Sequence, residues 1–210
     1  ITKINEHALE SCNLTTLKLP MSCIELAAYA VAGNYGLESV VSHNSTKTGI
    51  KSLAYGVFKD CNNLSIFDFS SLLSIGTYAF YGTGFSEITI SGNTRIIGTH
   101  AFSDCFLLRK VTIEEGVQSL EDGVFTKRKF RKSDKSSVNT CQLEEVYTPK
   151  SIIEVGSGCF DNVGMVFGYS GSVIESTCIA YQTPFTALDA LNSENATNMR
   201  VKAKLLGSNP

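Results

Sequence analysis

The sequence predicts a repeat solenoid, a right-handed coil of mostly parallel β-strand with short helical turns and a C-terminal cap. Three observations carry that expectation. One frame recurs: Leu72 to Phe80, Thr94 to Phe102 and Ile152 to Phe160 each run apolar-x-x-apolar-Gly-x-x-small-Phe, broken only by Thr94. The large apolar residue closing the frame occurs seven times, at Leu9, Val31, Phe58, Phe80, Phe102, Phe125 and Phe160, with spacings of 22, 27, 22, 22, 23 and 35. A second apolar cluster follows each of these anchors, as in Phe85, Ile88, Ile90 or Leu108, Val111, Ile113. Its closing apolar-x-apolar step has period two, the mark of a strand with one face inward. A unit this short cannot bury that face alone, so the units must stack.

Stacked in parallel at ~4.8 Å per coil, like residues form columns. The anchors make a Phe-rich spine. A small-residue column (Ala8, Ala30, Val57, Ala79, Ala101, Val124, Cys159) marks a tight turn. Three positions past the anchor stand Cys12, Asn34, Cys61, Thr83 and Cys105, with Cys141 in that place after the larger insertion. Such side chains suit a buried turn, where they bond a backbone group that the coil leaves unpaired. Two polar insertions, His43 to Gly49 and Thr126 to Thr140, should bulge as loops. Parallel connections are right-handed, and the strands at Ile88 to Ile90 and Val111 to Ile113 should be neighbours. The first coil has an open edge, which predicts fraying or edge-to-edge self-association.

Seven Cys without a C-x-x-C pair or a Cys/His cluster give no metal site. The repeat accounts for them as free buried thiols, with Cys159 in the small column and Cys23 at an inward strand position. The glycines of Ile75-Gly76, Ile97-Gly98 and Val155-Gly156 lack the Gly-Lys-Ser/Thr ending of a phosphate loop and read as repeat turns.

These columns resemble the BspA-like leucine-rich repeats, whose consensus is I-x-x-I-G-x-x-A-F-x-x-C-x-x-L-x-x-I-x-I; Phe102-Ser103-Asp104-Cys105 through Val111-Thr112-Ile113 follows it closely. The resemblance spans residues 1–188. It includes a cap at 168–188 that opens with Gly168-Tyr169-Ser170-Gly171-Ser172. Ser172 is placed to N-cap a helix whose Ile174, Cys178 and Tyr181 share a covering face, and Phe185 to Leu188 to lie along the last strand. Residues 189–210 are left as a tail or linker. The resemblance implies an extracellular or cell-surface protein that binds host or matrix partners.

No residue set demands catalysis. The bases are His7, His43 and His100. His7 and His100 share a column with Tyr29, Gly56, Tyr78, Gly123 and Gly158, which reads either as an exposed ring ladder or as a permissive turn position. We therefore expect a non-enzymatic binding or adhesion module without cofactor, for a protein or glycan ligand. Its candidate contacts are the outward strand residues Lys18, Val41, Asp68, Thr89, Thr112, Tyr147 and Val166. The alternative is a structural spacer carrying another domain. A net charge of -2 exerts no global pull on nucleic acid. One local patch exists: Lys127, Arg128, Lys129, Arg131, Lys132 and Lys135 make the second insertion a candidate anion-binding loop for acidic glycans. Apolar runs such as Ile24 to Gly33 fall short of the ~20 residues of a membrane span. The chain begins Ile1-Thr2-Lys3 without Met, compatible with a trimmed signal or anchor.

Overall fold

The computed structural model describes residues 1–42, 45–126 and 143–190. The seven expected coils are present, most with two strands. In chain order the first three coils hold β1 (Lys3–Ile4) and β2 (Thr16–Leu19), β3 (Glu25–Leu26) and β4 (Ser39–Ser42), and β5 (Ser52–Leu53). The next two hold β6 (Ser74–Ile75) and β7 (Glu87–Ile90), then β8 (Ile96–Ile97) and β9 (Lys110–Ile113). The last two hold β10 (Ser119–Leu120) and β11 (Glu145–Tyr147), then β12 (Glu154–Val155) and β13 (Met165–Gly168). Every pairing between these strands is parallel, and Ile88 faces Val111 as Ile90 faces Ile113.

Two ladders run along the stack. The first, in the order β1-β3-β5-β6-β8-β10-β12, is unbroken through all seven coils. It is built from the first half of the repeat frame, which the sequence pattern did not mark as strand. Two residues per coil are too few to display a period. The second ladder is the expected one, and it is broken: β2 pairs β4, while β7, β9, β11 and β13 form a separate sheet. The strand expected at Phe67 to Phe69 is absent, and among the described residues a bridge between Ser39 and Ile66 joins the third coil to β4.

Between the ladders, backbone hydrogen bonds also join coil to coil. The N–H of the anchors from Val31 to Phe102 donates to the carbonyl of the next coil's small residue: Val31 to Val57 at 3.1 Å, Phe58 to Ala79 at 2.8 Å, Phe80 to Ala101 at 2.9 Å, Phe102 to Val124 at 2.9 Å. The small column is small because backbone must approach backbone. Inside lies the spine, with Phe58 on Phe80 at 5.4 Å, Phe80 on Phe102 at 5.2 Å and Phe102 on Phe125 at 5.9 Å, all nearly coplanar stacks. The frame glycines contribute in the same way. A Cβ on Gly98 would stand 2.7 Å from Gly76 C, and one on Gly76 2.5 Å from Leu53 O, so close coil contact rather than turn geometry requires them.

The polar column acts as expected where it is buried. Cys61 Sγ donates to Val31 O at 3.3 Å, Thr83 Oγ1 to Phe80 O at 2.8 Å, and Cys105 Sγ to Phe80 O at 3.2 Å. Cys12 departs from the expectation. It is exposed. Cys141 lies outside the described residues.

The cap forms as α1 (Val173–Tyr181), N-capped by Ser172, whose hydroxyl accepts from Glu175 N at 3.2 Å. Ile174 and Cys178 are buried over the core, while Tyr181 is 53% exposed and leaves the covering face. β14 (Phe185–Ala187) then pairs β13 in parallel and closes the sheet.

Candidate functional site

On the second ladder the outward residues fall into register one coil apart. Lys18 stands beside Val41, and Thr89 beside Thr112, Thr112 beside Tyr147, and Tyr147 beside Phe167. Lys18 and Thr89 are exposed; Val41, Thr112 and Tyr147 are half-buried. Val166 is not part of this strip. It is fully buried, and Phe167 takes the outward place. The run Met165-Val166-Phe167 has no alternation from which to choose a face, and a slip of one residue reverses it. Pairing with β11 makes the choice.

Tyr147 is the most constrained member of the strip. Its ring stacks on Phe167 at 4.6 Å, Lys110 Nζ lies 5.4 Å over it, and its hydroxyl donates to Glu145 Oε2 at 3.1 Å. Burial, then the Glu145 carboxylate, push its hydroxyl up to about 12.

Asp68 stands where the ladder is broken, and there the strip opens into a groove of 340 Å³. Phe67, Phe69, Phe85 and Ile88 line its apolar part, and Asp68, Glu87 and Glu114 bring three carboxylates to it. The cause is local sequence. The third coil carries Phe at both inward strand positions, where its neighbours carry Val40 and Ser42 or Ile88 and Ile90. Phe67 and Phe69 pack on each other at 5.0 Å and both reach Phe80, at 5.0 and 5.3 Å. Asp68 turns its carboxylate back, accepting from Thr48 N at 3.2 Å and Ser70 N at 3.0 Å. That Phe pair was the available signal for the groove.

The ring column shows both of its expected aspects. His7, Tyr29, Gly56, Tyr78, His100, Gly123 and Gly158 all have φ between 53° and 68°, a left-handed turn position. Their rings also stack: His7 on Tyr29 at 5.2 Å and Tyr78 on His100 at 5.2 Å. Where Gly56 lacks a ring, the preceding Tyr55 fills the gap, 5.2 Å from Tyr29 and 5.5 Å from Tyr78. His100 Nδ1 meets Ser103 Oγ at 2.9 Å, but that hydroxyl gives its proton to Gly123 O at 2.8 Å. The imidazole is thus the donor to Ser103, the reverse of nucleophile activation.

Among the described residues no three His, Cys, Asp or Glu side chains gather as a metal site. His43 and the basic residues Lys127, Arg128, Lys129, Arg131, Lys132 and Lys135 lie outside the described residues. Among the described residues no helix is long and apolar enough to cross a membrane.

Comparison with solved structures gives the same architecture. A leucine rich cell surface protein from Faecalibacterium prausnitzii aligns over 80% of this chain and 43% of its own, with 21% identity and a TM-score of 0.64. A leucine-rich repeat protein from Bacteroides ovatus aligns over 82% and 60%, with 21% identity and a TM-score of 0.50. The T. pallidum leucine rich repeat protein aligns over 81% and 68%, with 22% identity and a TM-score of 0.54. The chain thus spans about half the length of the first two. No curated protein matches it significantly. The family model of the BspA type leucine rich repeat region matches six copies, over residues 2–131 and 51–166. The repeat in the sequence, the parallel coils and this match agree: the chain belongs to the BspA-type leucine-rich-repeat family.

Proposed function

We propose that this chain is a non-catalytic binding module, displayed at a cell surface or secreted, that recognises a protein or glycan ligand along its second ladder. One observation carries this reading: the outward side chains Thr89, Thr112 and Tyr147 stand in strand register on a hydrogen-bonded sheet. A strip held this way needs little ordering on binding. The name of the F. prausnitzii relative, a cell surface protein, supports the location.

A combined array of matrix proteins and glycans tests the reading. Wild-type protein should bind a small set of features, and Thr89→Arg together with Thr112→Arg should remove them while the melting temperature stays close to wild type. If the wild type binds nothing, or its ligands are retained by the double variant, the strand flank is not a recognition surface and a spacer role takes its place.

A further inference from the structure

Both walls of the groove present unpaired main chain. On one side, Lys110 N donates to Ser86 O and Glu114 N to Ile90 O, so the even-numbered residues of β7 turn toward β9. Glu87 and Thr89 alternate with them and turn their N–H and C=O groups to the groove, where no described residue meets them. On the other side, Ile66 turns to the second coil, donating to Glu38 O at 3.1 Å and accepting from Val40 N at 3.0 Å. The main-chain groups of Phe67 therefore face the groove, again without a hydrogen bond to a described residue. Two facing strand edges with no strand between them are a template for a third chain.

We propose that this groove receives an extended, basic polypeptide segment by strand addition to the β7 edge. The inference rests on the binding-module reading and specifies the ligand class. An extended segment points alternate side chains to opposite faces. Apolar side chains enter between Phe67, Phe69, Phe85 and Ile88, and the intervening ones meet Glu87 and Glu114. Among the described residues no Lys, Arg or His lines the groove, so a basic segment is matched and an acidic one repelled.

The test uses three fluorescein-labelled decapeptides: alternating Lys and Val, alternating Glu and Val, and the Lys/Val peptide with a central proline. The Lys/Val peptide should bind and the other two should not. Thr89→Pro should weaken binding by more than about tenfold. The Thr89 N–H takes no part in pairing with β9, so proline there leaves the sheet intact. Amide exchange gives a readout independent of any variant. Glu87 and Thr89 should exchange quickly in the free protein and slow when the Lys/Val peptide is added.

Equal binding of the proline-containing peptide would reduce the interaction to charge alone and overturn the proposal. So would binding that leaves the Glu87 and Thr89 amides unprotected. A dimer seen by light scattering and lost in Thr89→Pro would put a second copy in the groove and overturn it as well. The two readings separate on the array. Array ligands bound by the wild type, with no Lys/Val binding, sink the groove proposal and leave the binding module standing. An empty array sinks the module, while the peptide titration still reports on the groove.

Discussion

The side-chain amide of Asn34 joins two coils, its Nδ2 donating to the carbonyl of Leu9 one coil back at 2.8 Å. The same nitrogen donates to Val31 O at 2.7 Å, and Oδ1 accepts from Leu14 N at 3.0 Å. Asn34 is wholly buried, so truncation strands these groups away from water, at ~1–3 kcal/mol for each unsatisfied one. Asn34→Ala should therefore lose on the order of 3 kcal/mol in urea unfolding. Cys12→Ala, in the same column but exposed, should stay within about 0.5 kcal/mol of wild type. Equal effects would mean that the column has no hydrogen-bonding role.

Gly98 should tolerate no side chain. Its virtual Cβ meets Gly76 C and Thr77 N, both at 2.7 Å and both main chain, so no rotamer change relieves the clash. We expect Gly98→Ala to cost about 1–3 kcal/mol, read as a lowered denaturation midpoint. An unchanged midpoint would show that the coils can separate freely there.

Thiol reactivity should divide sharply. Of the six described cysteines, Cys12 is exposed and Cys23, Cys61, Cys105, Cys159 and Cys178 are buried. Under native conditions iodoacetamide should modify Cys12 first, and the buried five only after denaturation, as peptide mass spectrometry would resolve. Rapid native labelling of Cys61 would contradict the packing of the third coil.

Stability should fall on the alkaline side. Burial pushes the Cys61 thiol up to about 12, and those of Cys159 and Cys178 up to about 11, against an ordinary value of 9.0. The unfolded thiols ionise first as pH rises. The folded state thus keeps its full advantage below pH 9 and loses it progressively from 9 toward 11–12. Urea unfolding at pH 7 and pH 10 should show the decline, and Cys61→Ala should make it shallower. A stability that rises with pH over this window would refute the assignment.

The basic insertion offers a prediction from charge alone. Six basic residues lie within the nine positions from Lys127 to Lys135, with Phe130 among them. Retention on heparin should fall with rising salt. Replacing Lys127, Arg128, Lys129, Arg131, Lys132 and Lys135 by Ser should abolish it. Unchanged retention would place any anion binding elsewhere.

What the sequence alone determined is whatever repeats from coil to coil. The anchors from Val31 to Phe160 lie buried as their spacing implied, the buried members of the polar column bond anchor carbonyls, and Ser172 caps the closing helix. Periodicity makes such features legible because every copy sees the same neighbours. Tertiary structure decided what depends on unequal neighbours. The outward face of β13 came from pairing with β11, since three consecutive apolar residues carry no period. Tyr55 entered the ring column because the adjacent Gly56 left space. The groove arose where Phe67 and Phe69 packed on Phe80 and no strand formed beside β7. Each of these is a relation between two coils that differ, and a pattern read along one chain records the coils but not the fit between them.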